Sequence, residues 1–149
     1  MNKSNFKSSS LSILNIAGVK PYNVKSNEKY MNKNQIMHFK TILFAWYKHI
    51  TNNLNHTNLV KKSVNFPDIV DRATQEEEFS LMLHHCNRER KTIMSIQKTI
   101  KRLEENNFGF CDYCDIEIGI KRLEANPITS LCIDCKTLAE LKEKQINNR

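Results

Sequence analysis

Four cysteines stand as two Cys-x-x-Cys pairs, Cys111/Cys114 and Cys132/Cys135, with seventeen residues between the pairs. Thiolates are soft ligands, and each short pair can turn back so that both sulfurs face one ion. Two such turns give Zn2+ a four-sulfur tetrahedron with no open coordination position, which is a structural site rather than a catalytic one. Disulfides or unliganded thiols are the other readings of the same residues. While these cysteines hold metal, none can act as a nucleophile. His84, His85 and Cys86 are adjacent and also suggest a metal. Consecutive helical residues diverge by ~100°, so the three do not converge on one ion. Cys86 reads as a small residue in a helical seam, and both histidines as exposed.

A second constellation is acidic. Asp68 and Asp71 lie three residues apart in FPDIVDRA, followed by Glu76, Glu77 and Glu78. Acids at a helix start suit capping and the helix dipole, and that is the plainest reading. The functional reading is a probe whose acids meet cations or a metal in a partner. Paired carboxylates can do acid–base work. An exposed turn, however, has no walls to exclude water, so no enzyme is expected.

Helices must position both groups. Gly and Pro number three each in 149 residues, which favours helix over a many-stranded fold. Ile36, Phe39, Leu43, Trp46, Ile50 and Leu54 recur at helical steps, with Val60 and Val64 after them. Past Pro67 the pattern resumes at Phe79, Leu83, Cys86, Ile93, Ile96, Ile100 and Leu103, and stops near Asn106, Asn107 and Gly109. In an antiparallel hairpin, facing residues have a constant sum of numbers. Ile36/Leu103, Phe39/Ile100, Leu43/Ile96, Trp46/Ile93 and Val60/Phe79 each sum to 139, and Leu54/Cys86 sums to 140. The expected fold is therefore mainly α: a long antiparallel coiled-coil hairpin, a small four-cysteine zinc module and a C-terminal helix. The expected boundaries are 1–32 for an N-terminal segment packing on the base, 33–107 for the hairpin with its tip at 66–73, 108–135 for the zinc module and 136–149 for the last helix. Within the first segment, Asn23 to Met31 reads as linker. Leu138 and Leu141 share one face of the last helix.

The net charge of +7 is uneven. Residues 1–62 hold ten Lys/Arg against one acid, and residues 63–149 hold thirteen against fifteen. A basic half admits a zinc-binding nucleic-acid module as the alternative function. Against it, Lys greatly outnumbers Arg and the projecting tip is acidic. No apolar run reaches the ~18 residues of a membrane span. No secretory pattern opens the chain, and cysteines engaged by metal fit a reducing compartment. Those features lead to a cytoplasmic expectation.

The stretches SSLSILNIAGVKPY, NFPDIVDRATQEEEFSL, RERK and CDYCDIEIGIKRLEANP…LCIDCKTLAE together resemble the DksA/TraR family of bacterial RNA polymerase-binding transcription factors. The resemblance covers most of the chain and is to the longer members, which carry an N-terminal arm. It implies a monomer that binds polymerase directly and inserts the hairpin tip into the secondary channel. There it would alter open-complex stability together with ppGpp in the stringent response, negatively at rRNA promoters and positively at some biosynthetic ones. It implies no sequence-specific DNA binding and no membrane association. Asp68, Asp71 and Ala73 match the family's tip residues, and Cys111, Cys114, Cys132 and Cys135 its zinc ligands. Lys136 matches a basic residue of the ppGpp site, but Ser95 and Asn126 stand where the family has Lys and Arg. Two lost cations facing a polyphosphate imply weaker ppGpp coupling, with Arg122 and Lys98 the nearby cations that could stand in.

Overall fold

The computed structural model describes residues 12–25, 27–60 and 69–147, with the side chains of 56–60 and 69–73 outside the description. Five helices follow in order: α1 (Ile13–Ala17), α2 (Lys33–Val60), α3 (Ile69–Glu104), α4 (Ile120–Ala125) and α5 (Ile133–Asn147). Among the described residues the only β pairing is a single antiparallel bridge, Phe110 with Glu117.

Local chemistry sets the helix ends. Ser12 caps α1, its Oγ accepting from the Asn15 amide, and Gly18 closes it in the left-handed region at φ 64. Asn32 caps α2 by accepting from the Gln35 amide at 2.9 Å, and Gln35 Oε1 accepts in return from the Met31 amide at 2.7 Å. After α3, Asn106 takes the left-handed position at φ 59, and the Asn107 amide reaches back to the Arg102 carbonyl at 2.9 Å. The helix stops where the asparagines predict, using Asn rather than Gly for the turn.

α2 and α3 pack as the expected antiparallel hairpin. Phe39, Ile42, Leu43 and Ile50 of α2 are buried with Ile96 and Leu103 of α3, and Ile36, Trp46, Leu54, Ile93 and Ile100 pack on them. Cys86 is buried, as its place in the seam requires, and His84 and His85 are exposed. The same core continues under the zinc module through Phe108, Ile118, Ile120 and Leu123. Phe108 meets Phe39 at 5.2 Å between ring centroids. α1 packs on both α2 and α4, so the first segment joins the hairpin base to the module.

Three expectations are corrected. The seam is not uniform: Phe79 and Leu83 are 49% and 40% exposed, so apolar periodicity persists in α3 beyond the stretch where it is buried. The described residues of 23–31 are not a linker. Glu28 accepts from the Tyr22 hydroxyl, the Lys25 amide and the Asn32 amide group, and Tyr30 reaches the zinc module, so this segment is a strap. The last helix begins at Ile133, before Lys136, because Cys132 provides its cap. Leu138 and Leu141 of that helix are exposed.

Candidate metal centre

The four expected cysteines meet. Their sulfurs lie within 4.8 Å of one another, with Cys114 Sγ 3.7 Å from Cys132 Sγ and 3.6 Å from Cys135 Sγ. A tetrahedron with Zn–S bonds of ~2.3 Å has S···S edges of ~3.8 Å, so the spacing fits one zinc ion.

Each pair sits on its own scaffold. The first lies in a short ribbon, closed by the Ile118 amide on the Gly109 carbonyl at 2.7 Å and the Cys111 amide on the Ile116 carbonyl at 3.0 Å. Asp115 turns the ribbon at φ 53. The second pair lies at the start of α5. There the Lys136 amide bonds to the Cys132 carbonyl, and Cys132 Sγ accepts from the Cys135 amide at 3.4 Å. Thus Cys132 serves as both N-cap and ligand, and the positive end of α5 faces sulfurs that must ionise. The Asp112 amide joins the two scaffolds at the Ser130 carbonyl, 2.9 Å away.

The sulfurs compete for negative charge. The backbone amide of Cys132, with those of Tyr113 and Cys114, points at Cys111 and holds its thiol down to about 6 against the opposing effect of burial. Cys135 is pushed up, first by its contact with Cys132, then by Cys114 and by desolvation. Four thiols this close do not all ionise without a cation among them, and a zinc ion supplies that cation. The donor set and its geometry therefore fit the metal.

Arg102, near the end of α3, ties the hairpin to this site. Its Nη2 donates to Asp112 Oδ1 at 2.7 Å and, at longer range, to the carbonyls of Asn107 and Phe110. On the other side of the module Glu124 is buried, and its Oε1 accepts from the Tyr22 amide at 2.7 Å and meets His38 Nε2 at 2.8 Å. Sequence reasoning missed Arg102, Glu124 and Tyr30. Only Glu124 left a trace, as the acid beside Leu123 in a short helix between two metal pairs.

The other expected site residues fare differently. Asp68 lies outside the described residues. Asp71 and Ala73 fall in the first turns of α3, with side chains outside the description. Ser95 is on α3, its hydroxyl bonded to the Lys91 carbonyl at 3.0 Å. Asn126 is exposed and ends α4. Lys136 is exposed on α5, with Nζ 3.4 Å from Glu140. Of the two cations that could stand in, Arg122 donates Nε to the Leu131 carbonyl and Lys98 is exposed.

Comparison with known proteins bears on both parts of the fold. A family model described as DnaK suppressor protein DksA, N-terminal domain, matches residues 35–103. A second, the prokaryotic dksA/traR C4-type zinc finger, matches residues 106–141. Similar curated proteins are those named RNA polymerase-binding transcription factor DksA. That of Buchnera aphidicola from Schizaphis graminum is 55% identical, that of Salmonella typhimurium 56% and that of Escherichia coli 55%. Each match spans 144 residues, 95% of both chains. Among solved structures, transcription factor DksA2 from Pseudomonas aeruginosa superposes with a TM-score of 0.71 at 26% identity, over 77% of this chain and 90% of that one. The zinc-finger match and the clustered sulfurs together make Cys111, Cys114, Cys132 and Cys135 one zinc site.

Proposed function

Because the chain belongs to the DksA family, we propose that it is a non-catalytic transcription factor that binds RNA polymerase directly. In this reading the hairpin enters the polymerase secondary channel while the zinc module docks outside. The tip residues Asp68, Asp71 and Ala73 then act near the catalytic centre and alter open-complex stability, lowering output at rRNA promoters and raising it at some biosynthetic ones. The observation that carries the reading is identity of 55% across 95% of both chains to proteins named for polymerase binding. The shape supports it: α3 alone has 36 residues, or roughly 54 Å of rod at ~1.5 Å per residue. Its base is fixed to the metal module and its other end leads to the acids. The protein acts in the cytoplasm as a monomer, without sequence-specific DNA contacts. No helix among the described residues is long and apolar enough to cross a membrane.

The family's ppGpp site enters the same reading. Lys136 retains one cation, while Ser95 and Asn126 supply none, so the response to ppGpp is weaker than in a relative with all three. Titrating ppGpp into promoter transcription checks this; synergy equal to that of such a relative would refute it.

A pull-down on core polymerase, comparing wild type with Asp68→Asn/Asp71→Asn, tests the main reading. Both proteins are retained, and only the wild type changes promoter output. A salt-dependent DNA shift without polymerase retention would replace this reading with the nucleic-acid module.

A further inference from the structure

We propose that the Tyr30 hydroxyl is a positioning group that fixes the direction in which the hairpin leaves the zinc module. Its functional consequence rests on the polymerase reading above; its structural content does not. Gly109 and Ile118 are the paired ends of the ribbon that carries Cys111 and Cys114. The Tyr30 hydroxyl lies 2.7 Å from the Gly109 carbonyl oxygen and 2.5 Å from that of Ile118. A phenol has one proton, so the two carbonyls share it, and the hydroxyl holds both edges of the ribbon at once. The ring also stands edge-on to Phe110, with centroids 5.4 Å apart. Burial, and after it the Glu117 charge, push this phenol up to about 12, so the donor persists into alkaline solution where an ordinary phenol ionises.

Tyr30 comes three residues before Lys33, the first residue of α2. Its grip therefore acts on the root of the hairpin. The approach leaves no room for a side chain at position 109. A Cβ on Gly109 would meet Tyr30 Oη at 2.8 Å and Met31 Cε at 2.5 Å, and its φ of 96 is already one that L side chains rarely adopt. The other ties are placed elsewhere: Glu124 holds Tyr22 and His38 from α4, and Arg102 holds Asp112 from the end of α3. Without the Tyr30 hydroxyl, the ribbon bearing the first ligand pair keeps its covalent junction to α3 but loses its hydrogen-bonded link to the root of α2. The angle between ribbon and hairpin root then rests on the shared core and the Arg102–Asp112 pair, and the rotation these still permit is the motion set free.

The test uses residual dipolar couplings on the zinc-loaded full chain, comparing wild type, Tyr30→Phe and a variant with 4-aminophenylalanine at position 30, which restores a donor. In the wild type, couplings from the hairpin base and from residues 109–147 fit one alignment tensor. Tyr30→Phe keeps one zinc per chain, requires two tensors and binds core polymerase more weakly than the wild type, because the bound orientation is then one of several in the free protein. The amino variant returns to one tensor. A single tensor for Tyr30→Phe would overturn the proposal. So would loss of zinc or fold, because the hydroxyl would then be a folding group. If the wild type itself fails to bind polymerase, the functional reading falls while the couplings still decide the orientation.

Discussion

His38 Nε2 stands 2.8 Å from Glu124 Oε1, and both side chains are less than a tenth exposed. One residue belongs to the hairpin, the other to the helix between the two metal pairs. The same carboxylate oxygen takes the Tyr22 amide, so one buried group holds three segments together. Replacing Glu124 with Ala leaves a part-buried amide and a ring nitrogen without their acceptor. The expected cost is about 2–3 kcal/mol. Denaturant unfolding should show a lower midpoint at unchanged slope, and a midpoint equal to wild type would contradict this role.

Zinc removal should spread beyond the module. Phe108, Ile118 and Leu123 share one core with Phe39 and Leu43, and α5 begins on a ligand. Chelation should release one zinc per chain and expose the amides of α4 and α5 to hydrogen exchange. It should also lower the melting temperature of the hairpin base, since metal binding and folding are coupled in small zinc modules. A base that melts at the same temperature with and without metal would show that the two parts are energetically separate.

Alkali should find Tyr30. Its folded value of about 12 lies above the ordinary 10.0. A group raised in this way contributes stability that is fully present below pH 10 and is lost as pH rises through 12. Tyr22 is raised too, first through its hydrogen bond to Glu28, and adds to the same alkaline slope. Tyr30→Phe should therefore flatten the fall in stability between pH 10 and 12 without abolishing it. Unfolding free energies measured across that window decide the matter.

Glu89 occupies a seam position between Cys86 and Ile93. Its Oε2 is buried without a hydrogen bond, 3.6 Å from the His85 ring. That oxygen is taken from water with no hydrogen bond in return. Glu89→Leu should raise stability by about 1–3 kcal/mol, as when other buried charges are exchanged for apolar residues. Thermal melts give the sign; a lower melting point would mean that the carboxylate has a stabilising contact in the seam.

The hairpin and the metal site were legible because each rests on a repeating rule. Helical seams repeat every three or four residues, so Phe39/Ile100 and Leu43/Ile96 could be paired from their numbers alone. Metal pairs have a fixed internal spacing, so Cys111 to Cys135 could be grouped without coordinates. The strap had no such rule. Tyr30 finds Gly109 and Ile118 across gaps of 79 and 88 residues, and a lone Tyr in a polar stretch carries no period. Glu124 was hidden for the opposite reason: an acid in a six-residue helix reads as solvent-facing until the partner that buries it is known. The start of α5 was misjudged because a cysteine was read only as a ligand, although its sulfur can also accept from an amide. The exposed Phe79 and Leu83 mark the limit of periodicity, which gives the face of a helix but not how tightly that face is covered.

The continuous core beneath hairpin and zinc module bears on how such a protein can be exchanged by parts. Phe39 touches Phe108 across the boundary that a cut near residue 107 would follow. A chimera that joins this hairpin to a relative's metal module inherits only half of that contact. It would have to carry the strap, Phe108 and the Ile118–Leu123 floor along with it. The transferable unit is the rod together with its socket.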